Sequence, residues 1–313
     1  MDFRALDLFC GMGGLGLGFR KAGWEVFGVD VDRWAVINYR RNVSDAARAD
    51  LRRESFYDDY DAVIGGPPCE PWSVLNQARR RHAHPAYDLP LVWLRHVAVI
   101  RPRVAVLENV PPLESDPLFQ VLVGALTKLG YRVGWTNLSY ADYGAPVIKR
   151  RLFLLAVLPP ARPVWPPKRW RGATVREAIW DLRDVPLGEF PDHVTLNWSR
   201  EALERAKELA KRDRNNPKGR GAFGYRVLRW DEVAPAFGSV RRGYVIHPSG
   251  DRPITVREAM RLMGFPDSYV FDDRTPVGKR YEMVSDAVSP VFSELLARVL
   301  LQEAEIPTLE EVM

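Results

Sequence analysis

Residues 4–19 read RALDLFCGMGGLGLGF, a short apolar run followed directly by a glycine-rich stretch. Three of the glycines, Gly11, Gly13 and Gly16, form the pattern G-x-G-x-x-G where a strand would pass into a helix. Such glycines permit a tight turn and let a ligand approach the backbone at the positively polarised helix N-terminus. Asp30 follows about 20 residues later, at the position where an acid can bind ribose hydroxyls. The stretch therefore predicts a cofactor that contains adenosine, and NAD is one of several that fit. The alternative is a glycine-rich turn with a purely structural role.

Apolar runs recur along the first half of the chain, and segments with helical character separate them. The runs lie at residues 26–29, 63–64, 104–107 and 152–158, and the helical segments at 34–42, 89–100 and 118–129. Strand and helix in alternation predict βαβ units and a doubly wound α/β sheet. A further helix is expected at 256–262, with Thr255 as its cap and Glu258 at the capping-box position. The last apolar helix, 288–301, is expected to pack back against the glycine turn.

Residues 62–73, AVIGGPPCEPWS, place a cysteine directly after a strand in a frame stiffened by two prolines. In open α/β sheets ligands bind beyond the carboxyl ends of the strands, so Cys69 is a candidate nucleophile. The alternative is a buried cysteine that acts as a small hydrophobe. Glu108 closes the run 104–107 and would project into the same crevice, although an ordinary loop acid also fits that position.

The 313-residue chain is long enough for two domains, one of them an α/β core of ordinary size. It has no apolar run long enough to span a membrane, and no signal-peptide pattern follows Met1. Two cysteines, Cys10 and Cys69, are too few for a disulfide framework and favour a reducing interior. These features predict a cytoplasmic protein with no membrane partner. A proline cluster at residues 159–167 predicts a linker.

The basic residues concentrate in one segment. The formal net charge is +5, and residues 166–250 hold 17 Lys and Arg against 11 Asp and Glu. Such a local excess is expected where a segment meets phosphates. The alternative is a solvated surface of mixed charge, because residues 200–214 read as a charged amphipathic helix and 215–224 as a loop.

Seven blocks of the chain, taken in order, resemble the cytosine-5 methyltransferases that use S-adenosylmethionine. They are DLFCGMGG from Asp7, GVDVD from Gly28, GGPPCEPWS from Gly65, ENV from Glu108, KRRLF from Lys149, RPITVREAMRLMGFPD from Arg252 and YEMVSDAVSP from Tyr281. The resemblance implies a doubly wound, Rossmann-like methyltransferase sheet with a smaller inserted target recognition domain. Residues 1–165 would form the first part of the catalytic and cofactor-binding domain, 166–250 the recognition domain, and 251–313 the hinge and the return to the catalytic domain.

The resemblance also implies a mechanism. Cys69 matches the cysteine whose thiolate adds to carbon 6 of cytosine, which prepares carbon 5 to accept the methyl group. Glu108 matches the acid that holds the ring nitrogen and the exocyclic amine, and Arg151 matches the arginine that holds the base carbonyl. Lys149 lies two residues before Arg151, where the family's Q-x-R-x-R block has its first arginine, and is counted with these catalytic residues. In a duplex the base must be flipped out of the stack to be reached.

Further residues are assigned by the same resemblance. Those that would contact the cofactor are Phe9, Gly11, Gly13, Asp30, Asp50, Pro68, Asp286, Ala287 and Val288. Arg79, Arg80 and Arg81 fall in the segment that closes over the substrate in the family, where they would contact DNA phosphates or else form a solvated helix end. Arg241 and Arg242, in the basic segment, are counted with them as DNA contacts. No metal site is predicted. The expected partners are double-stranded DNA and a restriction endonuclease that acts separately, and the expected setting is a monomer in a prokaryotic cytoplasm.

Two blocks depart from the family's pattern. Its Q-x-R-x-R block has Val147 in place of glutamine and Lys149 in place of the first arginine, and lysine cannot reproduce a bidentate guanidinium contact. The closing block has Ser285 and Asp286 where Gly-Asn is usual. Asp286 keeps acceptor oxygens but loses the amide donors and adds a negative charge.

Three alternatives remain at this stage. The same chemistry on a tRNA cytosine is the first, although the Cys-Phe-Thr signature usual in the RNA members is missing. An NAD-dependent oxidoreductase would explain the glycine turn and Asp30 but not the blocks around Cys69 and Glu108. A catalytically silent nucleic-acid-binding module would retain DNA without methyl transfer, and the intact Cys69 and Glu108 argue against it.

Overall fold

A computed structural model describes residues 3–73, 81–169, 171–196, 198–215, 226–237 and 245–304. The chain forms two compact units. The first takes in residues 1–138, 150–167 and 292–313, and the second takes in residues 139–149 and 168–291. The predicted linker at 159–167 contains neither helix nor strand, in agreement with its prolines.

The described strands are mostly short and those of the first unit build one sheet. In chain order they are β1 Arg4–Leu8, β2 Glu25–Asp30, β3 Ala46–Arg48, β4 Ala62–Gly65, β5 Val104–Asn109, β6 Arg132–Ser139, β7 Val147–Ile148, β8 Arg150–Val157, β9 Arg226–Val227, β10 Ala234–Pro235 and β11 Val245–Ile246. The seven-stranded sheet has the order β3-β2-β1-β4-β5-β8-β6. The predicted doubly wound α/β sheet is confirmed.

The register of the sheet brings the ends of several strands to one edge. Strands β3, β2, β1, β4 and β5 run parallel, and Leu8 is paired with both Val29 and Gly65. The strand order reverses between β1 and β4, which is the switch point where open α/β sheets form a ligand crevice. Strand β8 is antiparallel to β5 and places Phe153 opposite Glu108. The segments that follow β1, β2, β4 and β5 therefore meet at this edge.

Nine helices are found in the described part of the chain. They are α1 Gly14–Lys21, α2 Arg33–Asn42, α3 Leu89–Ile100, α4 Pro117–Lys128, α5 Val175–Ile179, α6 Arg200–Asn215, α7 Val256–Leu262, α8 Val277–Asp286 and α9 Pro290–Ala304. Helices α3 and α7 have the predicted bounds, and the other predicted helices differ by up to three residues at one or both ends. Helix α7 carries the expected capping box between Thr255 and Glu258. Helix ends depend on local caps, which is why they can be predicted from sequence.

The last helix packs on the helix that opens from the glycine turn, as expected. Ser293 Oγ donates to the carbonyl of Leu15 at 2.5 Å, and Trp24 Nε1 donates to the carbonyl of Ala297 at 3.2 Å. A Cβ built on Gly18 would collide with the backbone of Glu294 and the side chain of Ser293. Gly18 therefore allows α1 and α9 to approach closely.

The second unit is held together by buried ion pairs. Asp192 accepts from Arg280 at 2.8 Å and from the backbone N–H of Phe271 at 3.0 Å, and it faces Arg257 at 3.4 Å. Glu258 binds Arg252 through two bonds of 2.8 and 2.7 Å. Most of the segment 166–250 lies in this unit, and its assignment as a target recognition domain stays a prediction.

Candidate active site

The glycine turn after β1 is built from left-handed backbone conformations. Phe9, Gly11 and Gly13 have φ angles of 56°, 54° and 87°. The N–H of Gly11 donates to Oδ2 of Asp30 at 2.9 Å, and the N–H of Asp32 donates to Oδ1 of Asp30 at 2.8 Å. The acid at the end of β2 is therefore held in a fixed position beside the turn.

The glycines of this turn serve two different purposes. A Cβ at Gly11 would meet no atom of the described residues within 4 Å, so the backbone there borders open space. A Cβ at Gly13 would lie 2.5 Å from Val43 and 2.8 Å from Tyr39, and one at Gly16 would collide with the Tyr39 hydroxyl. Gly11 can thus border a ligand, whereas Gly13 and Gly16 allow α1 to pack on Tyr39 of α2. Sequence reasoning missed Tyr39, because no local pattern marks it.

Burial makes Cys10 a poor nucleophile. It raises the pKa of the Cys10 thiol well above 9.0, and the nearby Asp7 and Asp30 add to the effect. Burial also raises the pKa of Asp7, with Asp30 contributing in the same direction and the Tyr39 hydroxyl in the opposite one. Cys10 therefore behaves as a small hydrophobe, and the half-buried Cys69 is the better candidate for nucleophilic chemistry.

Cys69 lies in a turn that its own carbonyl organises. The N–H groups of Trp72 and Ser73 both donate to the Cys69 carbonyl at 3.0 Å. The preceding Pro67 is fixed from β5, because Asn109 Nδ2 donates to its carbonyl at 3.0 Å. A Cβ on Gly66 would lie 2.9 Å from Oε2 of Glu108. The glycine and proline frame thus brings the start of the cysteine turn against Glu108.

Glu108 and Arg151 form a nearly buried ion pair. Arg151 Nε lies 2.9 Å from Oε1 of Glu108, and the two side chains are 13% and 9% exposed. They meet because β5 and β8 are neighbours in the sheet. The five N–H groups of a guanidinium allow one arginine to bind a carboxylate and a base carbonyl together. The structure therefore brings Glu108, Arg151 and the frame of Cys69 to one edge of the sheet.

The family model for C-5 cytosine-specific DNA methylases matches residues 3–302, nearly the whole chain. The chain belongs to this family. The suspected relationship to the cytosine-5 DNA methyltransferases is thereby confirmed, and so is the enzyme class.

Curated relatives of this DNA methylase are type II methyltransferases. The enzyme M1.HphI of Haemophilus parahaemolyticus is 28% identical over 96% of this chain and 87% of its own length. M.AplI of Arthrospira platensis is also 28% identical, over 94% of this chain and 84% of its own length.

Solved structures share the fold of this DNA methylase. A protein encoded within an E. coli prophage, described as a candidate DNA modification methyltransferase, superposes with a TM-score of 0.71 at 24% identity, over 96% of this chain and 99% of its own. The Dnmt2 methyltransferase of S. pombe superposes with a TM-score of 0.67 at 18% identity, over 97% of this chain and all of its own.

The remaining cofactor residues of the first unit flank its strands. Asp50 follows β3, where its Oδ1 accepts from the N–H of Arg52 at 3.1 Å and its Oδ2 lies 3.6 Å from Nε of Arg53. Pro68 is half-buried and directly precedes Cys69. Their contacts with a cofactor stay predictions, as do those of Phe9, Gly11, Gly13 and Asp30.

Lys149 of this DNA methylase is buried in the second unit. It is 2% exposed, and Nζ donates to the carbonyls of Ser285 and Ala287 at 2.6 and 2.9 Å. These carbonyls bracket Asp286, whose side chain is exposed, and Val288 that follows is buried. The ammonium thus supports the closing block. Its catalytic role, and the cofactor roles of Asp286, Ala287 and Val288, stay predictions.

Of the residues predicted to contact DNA, one lies among the described residues. Arg79, Arg80, Arg241 and Arg242 lie outside the described residues, and Arg81 opens the short 3-10 turn Arg81–Ala83. Within 166–250, ion pairs join several of the basic side chains to acids of the same segment. They include Arg171–Glu177, Arg176–Asp231, Arg183–Asp184, Lys207–Glu204, Lys211–Glu208 and Arg229–Glu232. Exposed pairs contribute little, so phosphates can compete for these cations. A DNA-binding role for the segment remains a prediction.

A hydrogen-bond network beside Cys69 was not predicted. Asp116 accepts from the Trp72 indole at 3.0 Å and from the Tyr87 hydroxyl at 2.6 Å. The acid precedes Pro117 in the sequence, which is a helix-start pattern, but its link to the cysteine turn depends on tertiary contacts.

Metal and membrane features are absent from the described residues. No group of three or more His, Cys, Asp or Glu side chains there could hold a metal ion. No helix in the same part of the chain is long and apolar enough to cross a membrane.

Proposed function

We propose that this DNA methylase transfers the methyl group of S-adenosylmethionine to carbon 5 of a flipped-out cytosine, through a covalent adduct of Cys69 at carbon 6. The observation that carries the proposal is the Glu108–Arg151 pair, with a separation of 2.9 Å, beside the glycine and proline frame of Cys69. A protonated carboxyl group can accept from the amine of cytosine and donate to its ring nitrogen, and a guanidinium can donate to its carbonyl, so the two side chains match this edge of the base.

The first unit offers a surface that fits the cofactor. Gly11 borders open space at the N-terminus of α1, and the carboxylate of Asp30 is fixed next to it. Each carboxylate oxygen has two acceptor sites, so Asp30 can accept ribose hydroxyls while keeping its backbone bonds. Asp50 is the candidate for the adenine amine. When bound, S-adenosylmethionine supplies an electrophilic methyl group.

The side chains of the site would act on the cytosine as follows. The Cys69 thiolate adds to carbon 6, Glu108 in its protonated form passes its proton to the ring nitrogen, and Arg151 binds the base carbonyl, so that the negative charge which the addition places on the ring is neutralised. The addition makes carbon 5 electron-rich, and carbon 5 would take the methyl group from the sulfonium of S-adenosylmethionine, whose methyl–sulfur bond breaks to leave a neutral thioether. The proton on carbon 5 then leaves to solvent as the bond between Cys69 and carbon 6 breaks. This last step restores the aromatic ring and the Cys69 thiolate, and the proton on the ring nitrogen returns to Glu108.

Double-stranded DNA is the substrate that we assign. The two curated relatives reported above are type II methyltransferases, which supports a role in modification beside a separate restriction endonuclease. A duplex substrate requires that the target base be flipped out of the stack. We assign the basic segment 166–250 to target recognition and infer that the enzyme works as a monomer.

Transfer of labelled methyl groups tests the proposal. Wild type and Cys69→Ser are incubated with labelled S-adenosylmethionine and either duplex DNA or unmodified tRNA. Duplex DNA that contains 5-fluorocytosine traps the adduct, because fluorine cannot leave as a proton does. Label and adduct on DNA, both lost in Cys69→Ser, are the expected result. Transfer to tRNA alone would establish the RNA alternative instead, and DNA retention without transfer would contradict the mechanism.

A further inference from the structure

Trp72 determines how the turn after Cys69 is held. Its side chain is 1% exposed and belongs to the same buried cluster as Leu113 and Phe119. The backbone N–H of Trp72 donates to the carbonyl of Cys69 at 3.0 Å, and that of Ser73 does the same. Any shift of the Trp72 side chain is therefore passed to the backbone of Cys69.

Asp116 binds the Trp72 side chain from the start of α4. Its Oδ2 accepts from the indole Nε1 of Trp72 at 3.0 Å. Its Oδ1 accepts from the Tyr87 hydroxyl at 2.6 Å and from the N–H of Leu118 at 3.0 Å. Asp116 is 3% exposed. Burial alone would raise the pKa of Asp116, but these three donors and His82 outweigh it and the pKa is lowered. The carboxylate is thus charged, which strengthens its hydrogen bonds.

A helix cap alone does not account for this arrangement. One side-chain oxygen is enough to cap a helix N-terminus, and Oδ1 of Asp116 supplies it to Leu118. The other oxygen is directed to the indole of Trp72. Trp72 and Tyr87 also contact each other, with ring centroids 5.5 Å apart. Asp116 therefore joins α4 to two segments, one directly after Cys69 and one directly before α3.

We propose that Asp116 is a positioning residue for Cys69, acting through the indole and the backbone of Trp72. The inference rests on the proposed nucleophilic role of Cys69 and adds to it the device that places the sulfur. Displacing a reacting group by about 1 Å can cost roughly 10²-fold in rate. Loss of the bond between Asp116 and Trp72 is therefore expected to slow the addition step while leaving DNA binding intact.

The test compares three variants with a matched control. Asp116→Asn keeps an oxygen for the helix cap but removes the second acceptor, so its amide donors face the indole N–H. Trp72→Phe keeps an aromatic ring and loses the indole donor. Tyr87→Phe removes only the hydroxyl. The control is Trp135→Phe, because the Trp135 indole also donates to a carboxylate, Glu114, at 3.1 Å in the same unit.

Two measurements report on Cys69. The first is the rate of adduct formation with duplex DNA that contains 5-fluorocytosine, together with the Kd for that DNA. The second is the rate of alkylation by iodoacetamide between pH 6 and 10, without DNA or cofactor. The rate measured for the Cys69→Ser protein is subtracted from that of each protein that carries Cys69. The other cysteine, Cys10, is 6% exposed and has a raised pKa, so the difference reports Cys69 alone.

We expect Asp116→Asn and Trp72→Phe to slow adduct formation about tenfold or more, with DNA Kd unchanged. Their Cys69 alkylation rates should differ from wild type by about threefold or more. Trp135→Phe should match wild type in both measurements. If the variants lose thermal stability but keep both rates, Asp116 only caps α4 and the inference is wrong.

Two further results also have a definite interpretation. Should Asp116→Asn and Trp72→Phe fail to fold, Tyr87→Phe is judged by the same two rates, since it removes one bond from the same carboxylate. Should wild type form no adduct with DNA, the proposed function fails. The alkylation rates then still decide whether Asp116 positions Cys69.

Discussion

Arg151 Nε lies 2.9 Å from Oε1 of Glu108, and the two side chains lie beside the cysteine turn, at the edge of the central sheet where the parallel strands end. The two residues lie on neighbouring strands, β5 and β8, which run antiparallel, and this pairing holds their side chains together. The carboxylate is thereby oriented before any base arrives. Such preorganisation is how donors and charges in an active site lower a barrier.

Arg151→Lys is expected to lower kcat/KM for methyl transfer by about 10²-fold, because lysine keeps the charge but loses the planar fork. The neighbouring Arg150→Lys is the control, since Arg150 is exposed. Steady-state transfer to duplex DNA measures both variants. An Arg151→Lys enzyme as active as Arg150→Lys would show that the ion pair does not orient Glu108.

Gly16→Ala is expected to destabilise the first unit by about 1–3 kcal/mol, since the added methyl group collides with the Tyr39 hydroxyl. Gly124→Ala is the matched substitution in α4, where a Cβ meets no described atom within 4 Å. It should stabilise the protein by about 0.5–1 kcal/mol, as alanine is the better helix former. Urea unfolding measures both. Equal effects would mean that the contact with Tyr39 is unimportant.

Acid is expected to destabilise the protein below pH 6.5. Burial lowers the pKa of His193 and His247 from the ordinary value of 6.5, although Glu258 acts in the opposite direction. The unfolded chain therefore binds protons that the folded chain does not. The stabilisation is complete above the unfolded pKa and is lost as the pH falls from 6.5 through the folded pKa values. Thermal unfolding between pH 8 and pH 5 measures this, and His193→Gln with His247→Gln should flatten the profile. Greater stability at pH 5.5 than at pH 7.5 would contradict the prediction.

Lys149→Met is expected to lower the free energy of unfolding by roughly 1–3 kcal/mol, because two buried carbonyls lose their donor. Lys168→Met, at an exposed lysine paired with Asp142, should change it by less than about 1 kcal/mol. Calorimetric melting compares the two. A Lys149→Met protein of normal stability with abolished methyl transfer would instead favour the catalytic role predicted for Lys149.

Local patterns in the sequence determined much of this protein. Parallel strands bring their ends together, so a glycine turn after β1, an acid at the end of β2 and a cysteine after β4 could be placed at one edge of a sheet. The bounds of α3 and the capping box of Thr255 could also be predicted. These features depend on residues close in sequence, where periodicity and caps are decisive.

Only the tertiary structure decided which distant residues meet. Tyr39 occupies the space left by Gly13 and Gly16, and Asp116 binds the indole of Trp72, 44 residues away in sequence. No local pattern predicts either contact, because both follow from how helices pack on the sheet. Burial likewise depends on the whole core. It is the main cause of the raised pKa of the Cys10 thiol, whereas Cys69 is only half-buried. Long-range packing and the loss of water that it causes are not encoded in any single stretch of sequence.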